Sequence, residues 1–591
     1  MLKPSNSVCV FVLILTTVHL HAADDKAEKP TKAKIAEIKI KGSLPESVSQ
    51  PGIFGELEQN LAGMIGRLDQ AATDDEIAAV LLRIREPSIG RGKLAELSAA
   101  IQRVRDSEKR VIAELESATT AGFLLATHCD EIVMPESGVL MIPGVRAEIT
   151  FYRGLFDKLG IKADMMQVGA FKGAAEPYTR SEMSPEFRKQ YEGLLDDVYE
   201  QLVDAISANR KLDRAKVQEL IDVGLFTTVE AQQSGLIDRV AYDDTFQEDL
   251  RKTLDVDELE MVKNYGKKKP DTDFSGMMGM MKLFELMMGG EPSRRASRNK
   301  KIAVVYASGM IMDGESTASL FGGEILGGDT IVRAIRKAQD DKSVAAIVLR
   351  VDSPGGSAMA SDMIWHAIEQ CDKPVIASMG DVAASGGYYI SMGCDKIFAE
   401  PGTLTGSIGV VGGKIALTGL YGKVGLNTDV ISRGKNSGLL SIDQPFSDSE
   451  RVVWKKMMED VYRQFVEKAA AGRDMKAEQI EPLTGGRVWT GRQAKEKGLI
   501  DDLGTLREAI AFAKQQAGIG EDEKAELLIL PKPKSIFDQL FDSGIGIQSD
   551  FASQAAKSVP ELSRHLRTVE RLRKLFTKPA VCIMPYEVRI K

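Results

Sequence analysis

Ala345-Ala346-Ile347-Val348-Leu349-Arg350-Val351 has a near copy 267 residues earlier in the chain, Ala78-Ala79-Val80-Leu81-Leu82-Arg83-Ile84. A continuous apolar run of this length, rich in β-branched residues, is what a strand buried on both faces requires. The correspondence continues outward from it. His128-Cys129-Asp130-Glu131-Ile132 matches Gly393-Cys394-Asp395-Lys396-Ile397 at an offset of 265. Thr227, Ala231 and Gly235-Leu236-Ile237-Asp238 match Thr490, Ala494 and Gly498-Leu499-Ile500-Asp501 at an offset of 263. The openings agree too, Ile35-Ala36 to Gly42 against Ile302-Ala303 to Gly309. Two copies of one α/β unit therefore fill most of the chain.

Within each copy apolar runs alternate with helical stretches, the pattern of parallel strands joined by crossover helices. In the second copy the strands are expected at Ile302–Tyr306, Ala346–Val351, Val375–Ser378 and Lys396–Ala399. Helices are expected near Asp329–Asp340, Ser357–Cys371 and Ser385–Met392, and a longer amphipathic one near Asp448–Ala471. The first-copy counterpart of that long helix spans about Ser184–Asn209. The chain divides into residues 1–23, a leader; 34–262, the first repeat; 263–299, a linker; 300–520, the second repeat; and 521–591, a C-terminal extension.

Composition is that of a globular protein, with 43% hydrophobic and 27% charged residues in 591. A net charge of −8 does not recommend a nucleic-acid partner. The leader has the anatomy of a secretory signal: Lys3, an apolar core from Val8 to Val18, and a small-residue exit at Ala22-Ala23. Export follows as the expectation, with retention as an uncleaved anchor the alternative. Of five cysteines, Cys9 lies in the leader, and Cys129, Cys371, Cys394 and Cys582 have neither metal-ligand spacing nor a disulfide framework. They read as small core residues. The linker carries a Met-rich stripe from Met277 to Met288, read as a packing or assembly surface ahead of membrane contact. A basic stretch near Pro560–Phe576 reads as a solvated helix face ahead of a membrane-surface helix. No nucleotide fingerprint and no His/Glu metal box occurs, so neither a cofactor nor a metal is implied.

Chemistry concentrates in the second copy. Gly380-Asp381-Val382-Ala383-Ala384-Ser385-Gly386-Gly387-Tyr388 follows an apolar strand and leads into a helix, and its small residues are expected to leave Ser385 uncovered. A serine at a helix start is ordinarily an N-cap. Its company argues for more. Asp352-Ser353-Pro354-Gly355-Gly356-Ser357 follows the preceding strand, and although Ser-Pro-Gly-Gly alone is a turn, backbone N–H groups there suit a developing oxyanion. A serine nucleophile needs a base. The copy's one histidine, His366, sits on the wrong helix, which leaves lysine, effective only when burial or nearby positive charge lowers its pKa.

Comparison of the copies narrows the choice. Ser385 falls opposite Thr120, and Pro354-Gly355-Gly356 opposite Pro87-Ser88-Ile89. The first copy has lost the serine and the glycine pair. Conversely, Lys172, followed by Gly173-Ala174-Ala175-Glu176-Pro177, falls opposite Ser437 at an offset of 265, or opposite Lys435 at 263. A composite site with Ser385 from one copy and Lys172 from the other is the reading, and Lys435 is the alternative base.

These motifs, with Leu404-Thr405-Gly406-Ser407-Ile408-Gly409-Val410 and Phe171-Lys172-Gly173-Ala174-Ala175-Glu176-Pro177-Tyr178-Thr179-Arg180, resemble the signal peptide peptidase A family in its long, duplicated, protease-IV form. The resemblance covers nearly everything from Lys34 onward. It implies an α/β fold that is a tandem duplication of a Clp-protease/crotonase-like ββα-superhelix domain. It implies a Ser/Lys dyad of Ser385 and Lys172, with Ser407 orienting the lysine and an oxyanion hole from the N–H groups of Gly386 and of Gly355 or Gly356. It further implies cleavage of remnant signal peptides and other small membrane-associated peptides, and a homo-oligomer, by resemblance a tetramer. A periplasmic or extracytoplasmic membrane-surface location is also implied. Two rival readings are a non-catalytic peptide-binding scaffold and crotonase-type acyl-CoA chemistry, the latter weakened by export and by the lack of an evident acyl-CoA-binding feature.

Overall fold

A computed structural model describes residues 32–46, 60–267, 300–318, 324–520, 523, 525–531 and 581–584. The leader, the Met-rich stripe and the basic stretch near 560–576 lie outside the described residues.

The first copy builds a parallel six-stranded sheet in the order Arg239–Val240, Glu131–Met134, Arg110–Leu115, Ile77–Pro87, Lys32–Gly42, Glu258–Val262. The second repeats that order with Asp502–Leu503, Lys396–Ala399, Val375–Ala384, Val344–Ser353, Lys301–Ser308 and Glu526–Leu530. Each apolar run sits in the middle of its sheet: Val80, Leu82 and Ile84 on one side, and Ile347, Leu349 and Val351 on the other, are fully or almost fully buried in the helix-covered cores. The expected helices are present, among them Pro185–Arg210 and Asp448–Gly472, each opened by a serine whose hydroxyl caps the first turn.

Three boundaries differ from expectation. The strand begun at Val375 runs on to Ala384 instead of stopping at Ser378, because Val382 to Ala384 finds a second partner in Leu404–Gly406. Gly355–Ser357 is not a bare turn but a short strand, facing Ile311 on one side and Val581–Ile583 on the other. The sheet of the second copy also reaches past residue 520, because Glu526–Leu530 covers the edge that Lys301–Ser308 would otherwise expose.

The copies are sewn together by backbone and by charge. Lys162–Val168 of the first pairs antiparallel with Val410–Ala416 of the second, so one seven-stranded sheet crosses the seam. At the seam the fully buried Arg350 meets Glu46 at 3.0 Å and Glu96 at 2.9 Å, both from the first copy. Both carboxylates hold the guanidinium charged against its burial. Arg350 belongs to the very run that revealed the duplication, so the sequence motif doubles as an inter-copy contact.

Candidate active site

Ser385 stands where the strand Val375–Ala384 turns into the helix Gly386–Ser391. Its backbone has φ 56° and ψ −113°, a left-handed conformation rarely adopted outside glycine. Its N–H donates to the carbonyl of Gly406 at 2.7 Å, which fixes the turn. Its side chain makes no helix cap, so the N-cap reading does not hold. Freed from capping, the hydroxyl points elsewhere.

It points to Lys172. The Lys172 Nζ lies 2.7 Å from Ser385 Oγ, 2.8 Å from the Ser407 carbonyl oxygen and 2.9 Å from Ser407 Oγ. All three side chains are fully buried. Burial pulls the amine from its ordinary 10.5 down to about 7. A neutral amine has two N–H donors and one lone pair, and three neighbouring oxygens match that inventory: two accept, and the Ser385 O–H donates to the lone pair.

The first copy delivers the lysine through a rigid path. After the seam strand Lys162–Val168, Phe171 N–H donates to the Gly485 carbonyl at 2.9 Å, and the Phe171 ring lies under the Arg487 guanidinium at 4.0 Å. A Cβ on Gly486 would stand 2.6 Å from Lys172 Cα, so only glycine lets the two copies approach this closely there. Downstream, the buried Glu176 accepts from the Ser184 N–H at 2.9 Å and hydroxyl at 2.6 Å, pinning the loop to the start of the next helix. Gln190 on that helix exchanges two hydrogen bonds with the backbone of Val488 in the second copy.

Of the backbone groups singled out, the Gly386 N–H opens a helix and has no intrahelical acceptor by position. Gly355, at φ +94°, brings its Cα against it: a Cβ there would stand 2.5 Å from Gly386 N and would overlap the Cys582 carbonyl oxygen. The Gly355 N–H donates to Ser353 Oγ at 3.1 Å, and Gly356 lies in register with Cys582. The two glycine arms and the helix start therefore converge on one spot beside Ser385.

Two sequence candidates lie elsewhere. Lys435 is exposed on an irregular segment, and His366 is exposed on the far face of its helix beside Trp365. Ser385 itself is fully buried rather than uncovered, because Val581–Met584 lies along the glycine strand above it. The four described cysteines are free thiols.

Several residues escaped the sequence reading. Gly485-Gly486 was detectable, since its first-copy counterpart at the offset of 263, Asp222-Val223, lacks both glycines. Lys93 was not: from the first copy it bridges Asp352 at 3.0 Å and Asp381 at 3.1 Å, the carboxylates at the roots of the glycine arm and the serine turn. Burial works against the Lys93 charge, but the two carboxylates outweigh it and hold the ammonium above its usual range. No periodicity or spacing links a helix lysine to acids hundreds of residues away.

Comparisons with known proteins agree with this geometry. The description "Peptidase family S49" matches residues 103–257 and again 367–520, one match per copy. "Serine protease SPPA, chloroplastic" of Arabidopsis thaliana is 35% identical over 81% of this chain and 68% of its own length. "Protease 4" of Haemophilus influenzae is 33% identical over 72% of this chain and 68% of its own. "Putative signal peptide peptidase SppA" of Enterococcus faecium is 34% identical over 42% of this chain and 74% of its own, the span of a single copy.

Proposed function

The chain belongs to peptidase family S49 and is a serine peptidase, and on that premise we propose that Ser385 is its nucleophile and Lys172 its general base. In this mechanism the neutral Lys172 amine takes the Ser385 proton as Oγ attacks a peptide carbonyl. The resulting oxyanion lies against the N–H of Gly386 and of a glycine in the Gly355-Gly356 arm. Lys172, now an ammonium, returns the proton to the leaving amine, and a water activated by the same amine hydrolyses the acyl-enzyme. Ser407 holds the lysine by its carbonyl and hydroxyl, so that the lone pair stays aimed at Ser385.

One observation carries the assignment: a lysine amine with no exposure, no carboxylate partner at hydrogen-bond range, and a serine hydroxyl at 2.7 Å. Structural lysines pair with acids, as Lys93 does; a lysine buried among hydroxyls and a carbonyl is suited to being neutral. The substrates proposed are cleaved signal peptides and other short membrane-associated peptides, consistent with the printed name of the Enterococcus relative and with the leader at Met1–Ala23. A homo-oligomer on the extracytoplasmic side of a membrane completes the proposal. Among the described residues no helix is long and apolar enough to cross a membrane.

The deciding experiment is hydrolysis of an internally quenched peptide by the wild type and by Ser385→Ala, Lys172→Met and Lys435→Ala chains. The expected result is loss of activity in the first two and retention in the third. Activity retained in Lys172→Met and lost in Lys435→Ala would move the base to the second copy.

A further inference from the structure

The seam sheet has an order that its two copies do not explain. Reading across, Met310–Met312 is followed by Gly355–Ser357, then Val581–Ile583, then Val410–Ala416, then Lys162–Val168. The strand in the middle comes from the far C-terminal end of the chain. It pairs antiparallel with the glycine strand on one side, placing Cys582 opposite Gly356, and meets Val411 through Val581 on the other. Met584 N–H donates to the Pro354 carbonyl at 2.7 Å. Because narrow and wide pairs alternate along an antiparallel ladder, the next pair to exchange hydrogen bonds is Gly356 with Cys582. The Cys582 carbonyl thus faces the Gly355-Gly356 arm, and a Cβ on Gly386 would lie 3.1 Å from its oxygen.

Side chains leave the strand alternately, as the pleat requires. Val581 and Ile583 pack with Ala174, Ala175 and Val411. Met584 packs with Leu194, Ala384, Leu404 and Val488. Both copies therefore wall the slot, and its walls are apolar. A peptide that reached Ser385 in extended form would need the free edges of Gly355–Ser357 and Val410–Ala416, the edges this strand occupies.

Resting on the reading of Ser385 and Lys172 as the reactive pair, the geometry points to the gap between Gly355–Ser357 and Val410–Ala416 as the peptide-docking surface, with the chain's own Val581–Met584 as its resident occupant. The C-terminal strand is an internal competitor of peptide substrates. It adds a strand by backbone pairing, presents a carbonyl to the oxyanion donors, and covers the nucleophile. Substrate binds only when the strand leaves. The strand is short, and its apolar contacts are those that an incoming extended peptide with small or medium apolar side chains would make instead.

The test uses the full chain. Met584→Pro deletes the N–H bonded to Pro354, and Val581→Asp sets a carboxylate among Ala174, Ala175 and Val411. An internal strand competes at an effective concentration in the millimolar range, so either variant is expected to raise kcat/KM for a quenched apolar peptide by about 10-fold, through KM with kcat unchanged. A second measurement is independent of turnover: anisotropy of a fluorescein-labelled synthetic peptide of residues 578–586, in the Ser385→Ala background. Binding is expected to be about 10-fold tighter when Met584→Pro is added, since the competitor is then displaced. Equal binding with and without Met584→Pro, or variants that lose thermal stability with KM unmoved, would overturn the inference and make the strand a plain structural element. Tighter binding with no hydrolysis by any chain would leave the docking surface standing and refute the peptidase roles of Ser385 and Lys172.

Discussion

The two copies share six strands in one order, yet they turn out of the central strand in different ways. In the first copy Arg110–Leu115 ends early, and the helix Thr120–Ala126 begins after Thr119 at φ −97°, an ordinary extended cap residue. In the second the strand overruns to Ala384, and the helix begins after Ser385 at φ 56°. The overrun has a cause: Val382, Ala383 and Ala384 pair with Leu404, Thr405 and Gly406. The equivalent first-copy pair, Val139–Met141 with Leu225–Thr227, stands as a separate two-stranded sheet linked to the turn by a single bridge, Ala118 to Leu140. Reactivity at Ser385 thus comes from a few residues of extra pairing that strain one turn, while the scaffold is unchanged. The seam shows the reverse division. Lys162–Val168 is a strand only in the first copy and Val410–Ala416 only in the second, and each supplies the other's partner.

The largest effect that would break this comparison is at the pair itself. Ser385→Ala and Lys172→Met are each expected to lower kcat by at least about 10³-fold, and the double variant to fall no further, because the two groups act as a unit. Steady-state peptidase assays check both statements. Thr120→Ser in the first copy is expected to yield no second site, since its backbone lacks the strained turn; activity surviving in Thr120→Ser/Ser385→Ala would show that the copies are equivalent after all.

Next come the arms. Gly355→Ala meets both a positive φ and the crowding at Gly386, and its kcat is expected to drop by about 10²-fold through misplaced oxyanion donors. Ser88→Gly, the matching position of the first copy, is expected to leave kinetics unchanged. The same assays decide between them.

At the seam, Arg350→Met strands Glu46 and Glu96 as buried charges and is expected to lower unfolding stability by about 3–5 kcal/mol, read as a reduced denaturant midpoint. A midpoint equal to that of the wild type would show that the copies do not depend on this contact.

The pH dependence sharpens the role of Lys172. With its pKa at about 7, activity is expected to rise with pH through that value as the amine loses its proton. Because the folded pKa lies below the unfolded one, the unfolded chain binds more protons between about 7 and 10.5, so stability also rises across that window. A kcat/KM profile flat between pH 6 and 8, roughly a unit either side of that value, would remove the lysine as base. The smallest effect is expected at Lys435→Ala, within about 2-fold of wild type, as befits an exposed side chain.

Much of the site was legible because duplication supplies an internal reference. Losses at Thr120 and at Ser88-Ile89 in one copy, against Lys435 or Ser437 in the other, paired Ser385 with Lys172 before any coordinates were considered. Gly485-Gly486 carried the same kind of signal. Lys93, Glu46 and Glu96 carried none, because an ion pair between copies leaves no spacing in either. The expectation of an uncovered Ser385 failed for a related reason: small neighbours open a surface locally, but whether it stays open depends on what the rest of the chain lays across it.

By itself the sequence determined the duplicated α/β unit, its strand order and the identity of the residues able to react, because apolar period, glycine position and internal repetition are local properties. Only the tertiary structure decided that Ser385 takes a strained backbone, that Lys172 is buried enough to be neutral, and that Val581–Met584 covers them. Each of those depends on backbone pairing and desolvation between segments far apart in the chain, and no local pattern encodes them.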